Sequence, residues 1–299
     1  MRIVSLLPST TEILFALGAG DAVVGVTFEC DHPPEAATRK IVSNTTLPEG
    51  LTPAQIDAEV RARMAAGEDL YRLDEGTLRD IDPDVVVTQD LCAVCAVDVS
   101  NVDDALRHLG CQAEVVTIDP GTLDEVLDSI VRLGALTGTA DRATELVAEL
   151  RARLDRIAGA VAGRPRPRVA LLEWTDPPFG PGHWLPDMVA AAGGQSVLGS
   201  SAVPSERVEW ADVARAEPDV VVVSPCGYRL ETATELAAGV VAKGVLPPAA
   251  QVWAVDADAA FVRPGPRLID GVEALAAILH PGVVPDRPDM AVDITSARP

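Results

Sequence analysis

A short segment of this chain occurs twice, as Asp-Pro-Asp-Val-Val-Val at residues 82–87 and as Glu-Pro-Asp-Val-Val-Val at residues 217–222. Each copy follows a helix-like stretch, is typical of a buried strand, and is followed within a few residues by a cysteine, Cys92 or Cys226. The repeat predicts two similar α/β lobes with mostly parallel sheets. Ligands of open α/β sheets bind outside the carboxyl ends of the strands, so we expect a ligand-binding cleft between the lobes.

Length and charge restrict the class of protein further. A chain of 299 residues suffices for about two domains with a substantial core. It has 24 lysine and arginine residues against 45 aspartate and glutamate residues, and this net charge of −21 disfavours nucleic acid and anionic membrane surfaces as partners. No apolar stretch approaches the roughly 18 residues that cross a bilayer, so no transmembrane segment is expected.

The first residues and the cysteines predict the cellular location. The apolar run at residues 3–7 is too short for the core of a signal peptide. The five cysteines are an odd number, and Cys92 and Cys95 are spaced as Cys-x-x-Cys, which argues against a disulfide framework. We therefore expect a cytoplasmic protein, or an extracytoplasmic one if an export signal has been trimmed from the sequence.

Apolar periodicity predicts the elements that build the lobes. Ser9 and Glu12 suit a capping box at the start of the first helix. Residues 140–161 carry apolar side chains on one face and span about 33 Å as a helix, long enough to bridge two lobes. The segment beyond Pro281 lacks periodicity and is expected to be a mobile tail. The predicted boundaries are an N-terminal lobe at 1–139, a bridging helix at 140–163, a C-terminal lobe at 164–282 and a tail at 283–299.

Four cysteines form a candidate metal centre. Cys92 and Cys95 have the spacing of zinc, iron–sulfur and thiol-redox sites, but they supply only two ligands. Cys30 and Cys226, each placed after a predicted strand, would complete a set of four. Zinc or an iron–sulfur cluster is the expected occupant if the four converge. Small buried cysteines also simply pack in protein cores, and the sequence leaves both interpretations open.

An aromatic loop provides the second candidate site. Aromatic residues make up 3% of the chain, yet Trp174, Phe179 and Trp184 fall within about eleven residues of one another. A loop this rich in aromatic residues, prolines and glycines is typical of a pocket wall for a flat or bulky apolar ligand. His183 is a candidate axial ligand to a metal carried by that ligand. Burial of Trp184 in the core and a surface position for His183 are the alternatives.

Further residues that follow predicted strands join the candidate site. Phe28 and Glu29 follow a strand of the first lobe, and Glu173 occupies the matching position in the second. The two glutamates suit bonds to polar groups of a ligand or docking to a partner, and they are equally compatible with exposed side chains that have no role. Tyr228 follows the second copy of the repeat, and Arg263 suits a cap over the cleft or a pair with a carboxylate. No nucleophile elbow, phosphate-binding glycine loop or serine–histidine–acid order occurs, which argues against an enzyme.

Several segments carry a resemblance to a known family. They lie at residues 2–13, 17–18, 24–27, 81–87, 122–161 and 263–267, and are spread over residues 1–280. In these segments the chain resembles the substrate-binding proteins of ABC importers that take cobalamin, haem and iron–siderophore complexes, which have the class III periplasmic-binding-protein fold. It is similar to a cytoplasmic branch labelled cobalamin-binding. The resemblance implies two α/β lobes joined by one long helix, a cleft between them and little hinge motion.

The resemblance also implies how a ligand is held. Members that deliver cobalamin hold it by aromatic and polar contacts from both lobes, which suits Phe28, Trp174, Phe179 and Trp184. We therefore predict a non-enzymatic binding protein whose cleft takes cobalamin, a related corrinoid or a similar metal-bearing ligand. One alternative is a metal or iron–sulfur protein that uses the cleft cysteines, with a redox or enzymatic role. The other is a delivery subunit of an ABC importer that docks through its glutamates.

Overall fold

The computed structural model describes residues 1–89, 102, 105–107 and 112–297. The chain forms two compact units. The first comprises Met1–Pro120 and Leu127–Val147, and the second comprises Gly121–Val126 and Ala148–Pro299. This division differs from the predicted boundaries, because residues 121–126 belong with the second unit.

The first unit contains a six-stranded sheet. Its strands are β1 (Ile3–Ser5), β2 (Val23–Thr27), β3 (Lys40–Thr45), β4 (Tyr71–Leu73), β5 (Val85–Thr88) and β6 (Glu114–Thr117). They lie in the order β4-β3-β2-β1-β5-β6, and all neighbours are parallel except β3 and β4. Parallel strands that are buried on both faces have near-continuous apolar sequences. The first copy of the repeated motif accordingly supplies the buried strand β5.

Short helices connect the strands of the first unit. They are α1 (Pro8–Ala16), α2 (Pro53–Ala66) and α3 (Glu75–Ile81), with 3₁₀ turns at Gly20–Ala22 and Ala36–Thr38. The predicted capping box of Ser9 and Glu12 is wrong, because α1 begins at Pro8 after Leu7 and both residues lie buried inside the helix. Proline at the first helical position already has a helical φ, and it moves the start of the helix ahead of Ser9.

Two longer helices follow, α4 (Leu123–Thr137) and α5 (Ala140–Val161). Helix α5 has 22 residues with the bounds predicted from its apolar spacing, begins in the first unit and ends in the second. A Cβ added at Gly134 would lie 2.4 Å from the Cβ of Ala143, so α4 and α5 pack closely where glycine leaves room. The predicted long helix that joins two lobes is confirmed, and the cleft between the lobes stays a prediction.

The second unit contains a five-stranded sheet and a two-stranded ribbon. The sheet strands are β7 (Arg168–Leu172), β10 (Gln195–Ser196), β11 (Val220–Val223), β12 (Gln251–Val255) and β13 (Ala291–Asp293), and the ribbon strands are β8 (Trp174–Thr175) and β9 (Pro178–Phe179). The sheet order is β10-β7-β11-β12-β13, parallel throughout except for β13. The prediction of two α/β lobes with mostly parallel sheets is confirmed.

The helices of the second unit are α6 (Leu185–Ala191), α7 (Trp210–Arg215), α8 (Leu230–Ala242), α9 (Ala257–Ala260) and α10 (Leu268–Leu279). Valines and alanines of β7, β11 and β12 form one apolar cluster with those of α8. This cluster forms the core on one side of the second sheet. Among the helices of the described residues, none has the length and apolar character needed to span a bilayer.

The C-terminal segment is ordered against the second sheet, and the expectation of a mobile tail is wrong. Strand β13 pairs antiparallel with β12, and Ile294 is buried in the core. A 3₁₀ turn at Thr295–Ala297 follows, and the Thr295 hydroxyl accepts a hydrogen bond from the Val252 amide at 2.9 Å. A three-residue strand is too short for a recognisable alternation of apolar residues, so this pairing could not be predicted from the sequence pattern.

Candidate functional site

The second unit brings together the chain segments that leave β7 and β11. Leu172 lies opposite Val223 in the parallel sheet. Beyond the strands, the Ser224 amide donates to the Leu172 carbonyl at 2.9 Å, and the Cys226 amide donates to the Glu173 carbonyl at 3.0 Å. The two loops therefore stay side by side at the edge of the sheet where ligands of α/β proteins bind.

These loops carry an aromatic pair. The rings of Trp174 and Tyr228 have centroids 5.8 Å apart at an angle of 38°, and both side chains are half-buried. Phe179 lies opposite Trp174 in the β8–β9 ribbon. Burial, and then the neighbouring Cys226, raise the pKa of the Tyr228 phenol above its usual value, so it stays a hydrogen-bond donor at neutral pH. A half-exposed stack with a polar tip suits a large ligand that has both apolar and polar groups.

A second loop of the same unit carries His183. The His183 amide donates to the Val203 carbonyl at 2.7 Å, and the Gly182 amide donates to the Glu173 carboxylate at 2.6 Å. Burial lowers the pKa of the imidazole, which is therefore neutral at neutral pH. Its Nδ1 is buried and has no hydrogen-bond partner among the described residues. A neutral imidazole can ligate a metal, but because Nδ1 is enclosed by the protein, a bound ligand could reach the ring only from its Nε2 side.

Trp184 is a packing residue of the His183 loop. It is 7% exposed, and its indole nitrogen donates to the Phe261 carbonyl at 2.7 Å. The His183 ring stacks on it with 5.6 Å between centroids. A tryptophan that is buried and has its N–H satisfied offers little surface to a ligand. The structure therefore favours the alternative in which Trp184 belongs to the core.

Arg263 forms an ion pair inside the second unit. Its Nη2 lies 2.8 Å from Oδ1 of Asp258, and the two side chains are 10% and 14% exposed. Arg229 approaches the same carboxylate at 3.8 Å. Of the two roles predicted for Arg263, the structure shows the pair with a carboxylate. The sequence did not identify Asp258, because a single aspartate outside any motif carries no signal of its own.

The first unit has an aromatic pair of its own at strand ends. Phe28 directly follows β2, and Tyr71 opens β4 opposite Thr45, the last residue of β3. The two ring centroids are 6.4 Å apart at 40°, and Phe28 is 37% exposed. Glu29, the next residue, is half-buried. Sequence reasoning missed Tyr71, although the chain has only 2 tyrosines and their rarity could have pointed to it.

Buried hydroxyl groups gather at the carboxyl ends of the first sheet. Thr11 Oγ1 donates to Ser5 Oγ at 2.9 Å and lies 3.1 Å from Cys30 Sγ, while Ser43 Oγ donates to Thr27 Oγ1 at 2.8 Å. All five residues are buried. Small polar side chains that satisfy one another are readily tolerated in a core. We call these residues the hydroxyl layer, and Cys30 is part of it.

The predicted cysteine centre has no support. Cys30 is buried in the hydroxyl layer, and Cys226 is exposed in the loop after β11. Cys92 and Cys95 lie outside the described residues. In the part of the chain that the structure describes, no group of three or more histidine, cysteine, aspartate or glutamate side chains is arranged to hold a metal ion. Zinc and iron–sulfur clusters are therefore not supported as cofactors.

Known proteins resemble this chain in sequence over nearly its whole length. The family model described as periplasmic binding protein matches residues 3–243. A cobalamin-binding protein of Halobacterium salinarum is 27% identical over 289 residues, covering 93% of this chain and 69% of the relative. A vitamin B12-binding protein of Vibrio cholerae is 25% identical over 284 residues, covering 93% of this chain and 88% of the relative.

The fold also has solved relatives. The periplasmic haem-binding protein of Vibrio cholerae has a TM-score of 0.68 and 19% identity, over 94% of this chain and 99% of that one, which shows a shared fold. The predicted cytoplasmic location is wrong, because the matching family and this neighbour are periplasmic binding proteins. The match over residues 3–243 and two α/β units with mostly parallel sheets show that this chain belongs to the periplasmic binding protein family.

Proposed function

We propose that this chain binds a corrinoid of the cobalamin class and delivers it to an ABC importer, without catalysing a reaction. The observation that carries the proposal is the Trp174–Tyr228 pair at the carboxyl ends of β7 and β11. The relatives named as cobalamin-binding and vitamin B12-binding proteins support this choice of ligand, since each matches 93% of the chain.

The chemistry of the aromatic pairs fits a corrinoid. A corrinoid combines a flat, largely apolar macrocycle with side chains that end in amides. Trp174 offers an aromatic face to the macrocycle, and the phenol of Tyr228 offers a hydrogen bond to an amide. Phe28 and Tyr71 form a surface of the same composition in the first unit. Each aromatic contact of this kind contributes about 0.5–1.5 kcal/mol beyond the burial of its area.

His183 is our candidate for a contact to the cobalt of the ligand. Its imidazole is neutral because burial lowers its pKa, and because Nδ1 is enclosed by the protein, we assign the contact to Nε2. Neutral imidazole nitrogen is a common metal ligand. The cobalt belongs to the cargo, so this contact needs no resident metal in the protein.

The delivery role uses surface carboxylates to dock a transporter subunit. Glu29 and Glu173 are the candidates for that contact. The Glu173 carboxylate accepts a hydrogen bond from the Gly182 amide and thereby supports the His183 loop. Glu29 is half-buried directly after β2. The net charge of −21 matches a partner that docks through cationic side chains.

Calorimetric titration with cyanocobalamin tests the proposed ligand. We expect the wild-type protein to bind it, and Trp174→Ala to weaken binding by about 1–3 kcal/mol, since the substitution removes a large aromatic contact. Trp210→Phe is the matched control, because Trp210 lies at the start of α7 beside Lys243 and outside the aromatic pairs.

Two results would contradict the proposal. One is the absence of cyanocobalamin binding by folded wild-type protein. The other is equal affinity of wild type and Trp174→Ala, which would exclude the aromatic pair as a ligand surface. A parallel titration with haem shows whether the same surface prefers a different metal-bearing macrocycle.

A further inference from the structure

One short segment of the second unit, residues 256–263, is hydrogen-bonded to both loops of the candidate site. The Asp258 amide donates to the Tyr228 carbonyl at 3.1 Å. The Phe261 carbonyl accepts the indole N–H of Trp184 at 2.7 Å. The loop that carries Tyr228 and the loop that carries His183 therefore share a single support.

The 256–263 segment is itself held in place from several sides. The Asp256 carboxylate caps helix α9 by accepting the Ala259 amide at 3.0 Å. The Asp256 amide donates to the Met290 carbonyl at 2.8 Å, which ties the segment to the C-terminal residues. A Cβ added at Gly271 would lie 2.2 Å from the Ala260 carbonyl oxygen, so helix α10 packs directly on the segment.

The Asp258–Arg263 ion pair closes this segment on itself. Both side chains are nearly buried and lie 2.8 Å apart. An ion pair in such surroundings is firmly held, since removing Arg263 leaves the nearly buried Asp258 carboxylate with the more distant and exposed Arg229 as a weaker partner. The little surface that Arg263 exposes also argues against a direct contact between its guanidinium and a ligand.

We infer that Arg263 is a positioning residue. Its ion pair fixes Asp258, and the Asp258 amide, which donates to the Tyr228 carbonyl, holds Tyr228 against Trp174. The effect of Arg263 on ligand affinity rests on the proposed function. Its effect on the position of the aromatic pair does not, because that effect is measured in ligand-free protein. This role is assigned to Arg263, the first residue of the Arg-Pro-Gly-Pro-Arg motif at residues 263–267.

The test compares Arg263→Met with the double variant Arg263→Met/Asp258→Leu and with Arg263→Lys. The emission of Trp174 is isolated by subtracting the spectrum of the same protein carrying Trp174→Phe. We expect Arg263→Met to shift the wavelength of maximum Trp174 emission. It should also weaken cyanocobalamin binding roughly tenfold, which corresponds to the loss of about one aromatic contact. Arg263→Lys keeps the charge and should restore both properties in part.

The double variant separates positioning from stability. It removes both members of the ion pair, so its thermal midpoint should return towards that of the wild type, while the altered emission and the weaker binding remain. Recovery of all three together would overturn the inference, as would unchanged Trp174 emission in Arg263→Met. Arg215→Gln, which breaks an exposed ion pair with Asp212 in the same unit, is the control that should change nothing.

The emission measurement also separates this inference from the proposed function. If wild-type protein does not bind cyanocobalamin, the proposed ligand is wrong. The emission of Trp174 in the ligand-free variants then still decides whether Arg263 positions the aromatic pair.

Discussion

The two units deliver aromatic rings to strand ends in the same way but hold those strand ends with different chemistry. In the first unit, neutral hydroxyl groups such as Thr11 and Ser5 bond to one another at 2.9 Å. In the second, carboxylates make the contacts: Glu173 accepts the Gly182 amide at 2.6 Å, and Asp258 pairs with Arg263 at 2.8 Å. Similar sheet topology thus tolerates two different ways of satisfying buried polar groups.

The difference has energetic consequences. A neutral hydrogen bond contributes about 0.5–1.5 kcal/mol and responds little to salt. A charged contact costs more to bury, and salt screens the part of it that reaches the surface. We therefore expect the first unit to depend on shape and hydrogen-bond geometry, and the second to depend in addition on charge.

The largest expected effect tests the backbone of the second unit. Gly199 has φ +64°, and a Cβ there would lie 1.8 Å from the Pro181 carbonyl oxygen, next to the His183 loop. We expect Gly199→Ala to lower the free energy of unfolding by more than about 3 kcal/mol, because the backbone must move. Urea denaturation followed by circular dichroism measures the change.

Gly227 is the matched control for that substitution. It has φ +77°, but an added Cβ meets no atom of the described residues within 4 Å. Gly227→Ala should therefore cost only the left-handed strain of about 1–2 kcal/mol. Equal costs at the two positions would show that the close approach of Pro181 does not constrain the loop.

The next effect tests the hydroxyl layer of the first unit. Thr11→Val keeps the shape of the side chain but removes the donor that bonds Ser5 and the Leu7 carbonyl. The loss should cost about 1–3 kcal/mol, because buried groups lose a partner. Thr38→Val, which removes an exposed hydroxyl bonded to the Glu35 carbonyl, should change stability by less than about 0.5 kcal/mol. Similar losses in both variants would contradict a special role for the layer.

The dependence of stability on salt concentration should differ between the two units. Arg153 donates to Glu273 at 2.9 Å and 2.7 Å and also pairs with Asp270, and these contacts raise the pKa of its guanidinium above the usual value. Arg153→Met should cost about 1–2 kcal/mol, between the values for exposed and buried pairs. Denaturation at about 0.1 M and 1 M NaCl should show this cost shrinking, while the cost of Thr11→Val stays constant. A constant cost for Arg153→Met would remove the proposed difference.

The smallest effect is a pH dependence in the second unit. Burial lowers the pKa of His183 in the folded protein, so the unfolded chain binds the proton more readily. Stability should therefore fall as pH drops below the usual histidine pKa of about 6.5. Asparagine tolerates the left-handed φ of 49° and does not titrate, so His183→Asn should flatten this slope. An unaltered slope in His183→Asn would assign the pH dependence elsewhere.

Much of the fold could be predicted because its elements have strong local patterns. Strands β5 and β11 begin within the two copies of the repeated motif, and helix α5 has the bounds that its apolar spacing indicated. The sequence also selected Trp174, for its aromatic loop, and Tyr228, because it follows the second copy of the repeated motif; their role in binding stays a prediction. Tyr71 and Asp258 were missed, because they reach the strand ends from β4 and α9, whose short sequences do not reveal where they lie.

The sequence by itself determined two α/β lobes, the long helix and the strand ends at which a ligand-binding surface is expected. These features follow from the periodic spacing of apolar residues, which is a local pattern among neighbours along the chain. Only the tertiary structure decided where each candidate residue lies and which groups it contacts. It placed Trp184 in the core, Arg263 beside Asp258 and Cys30 in the hydroxyl layer. These roles depend on partners that are distant in sequence, and no local pattern encodes which distant group will satisfy a buried polar side chain.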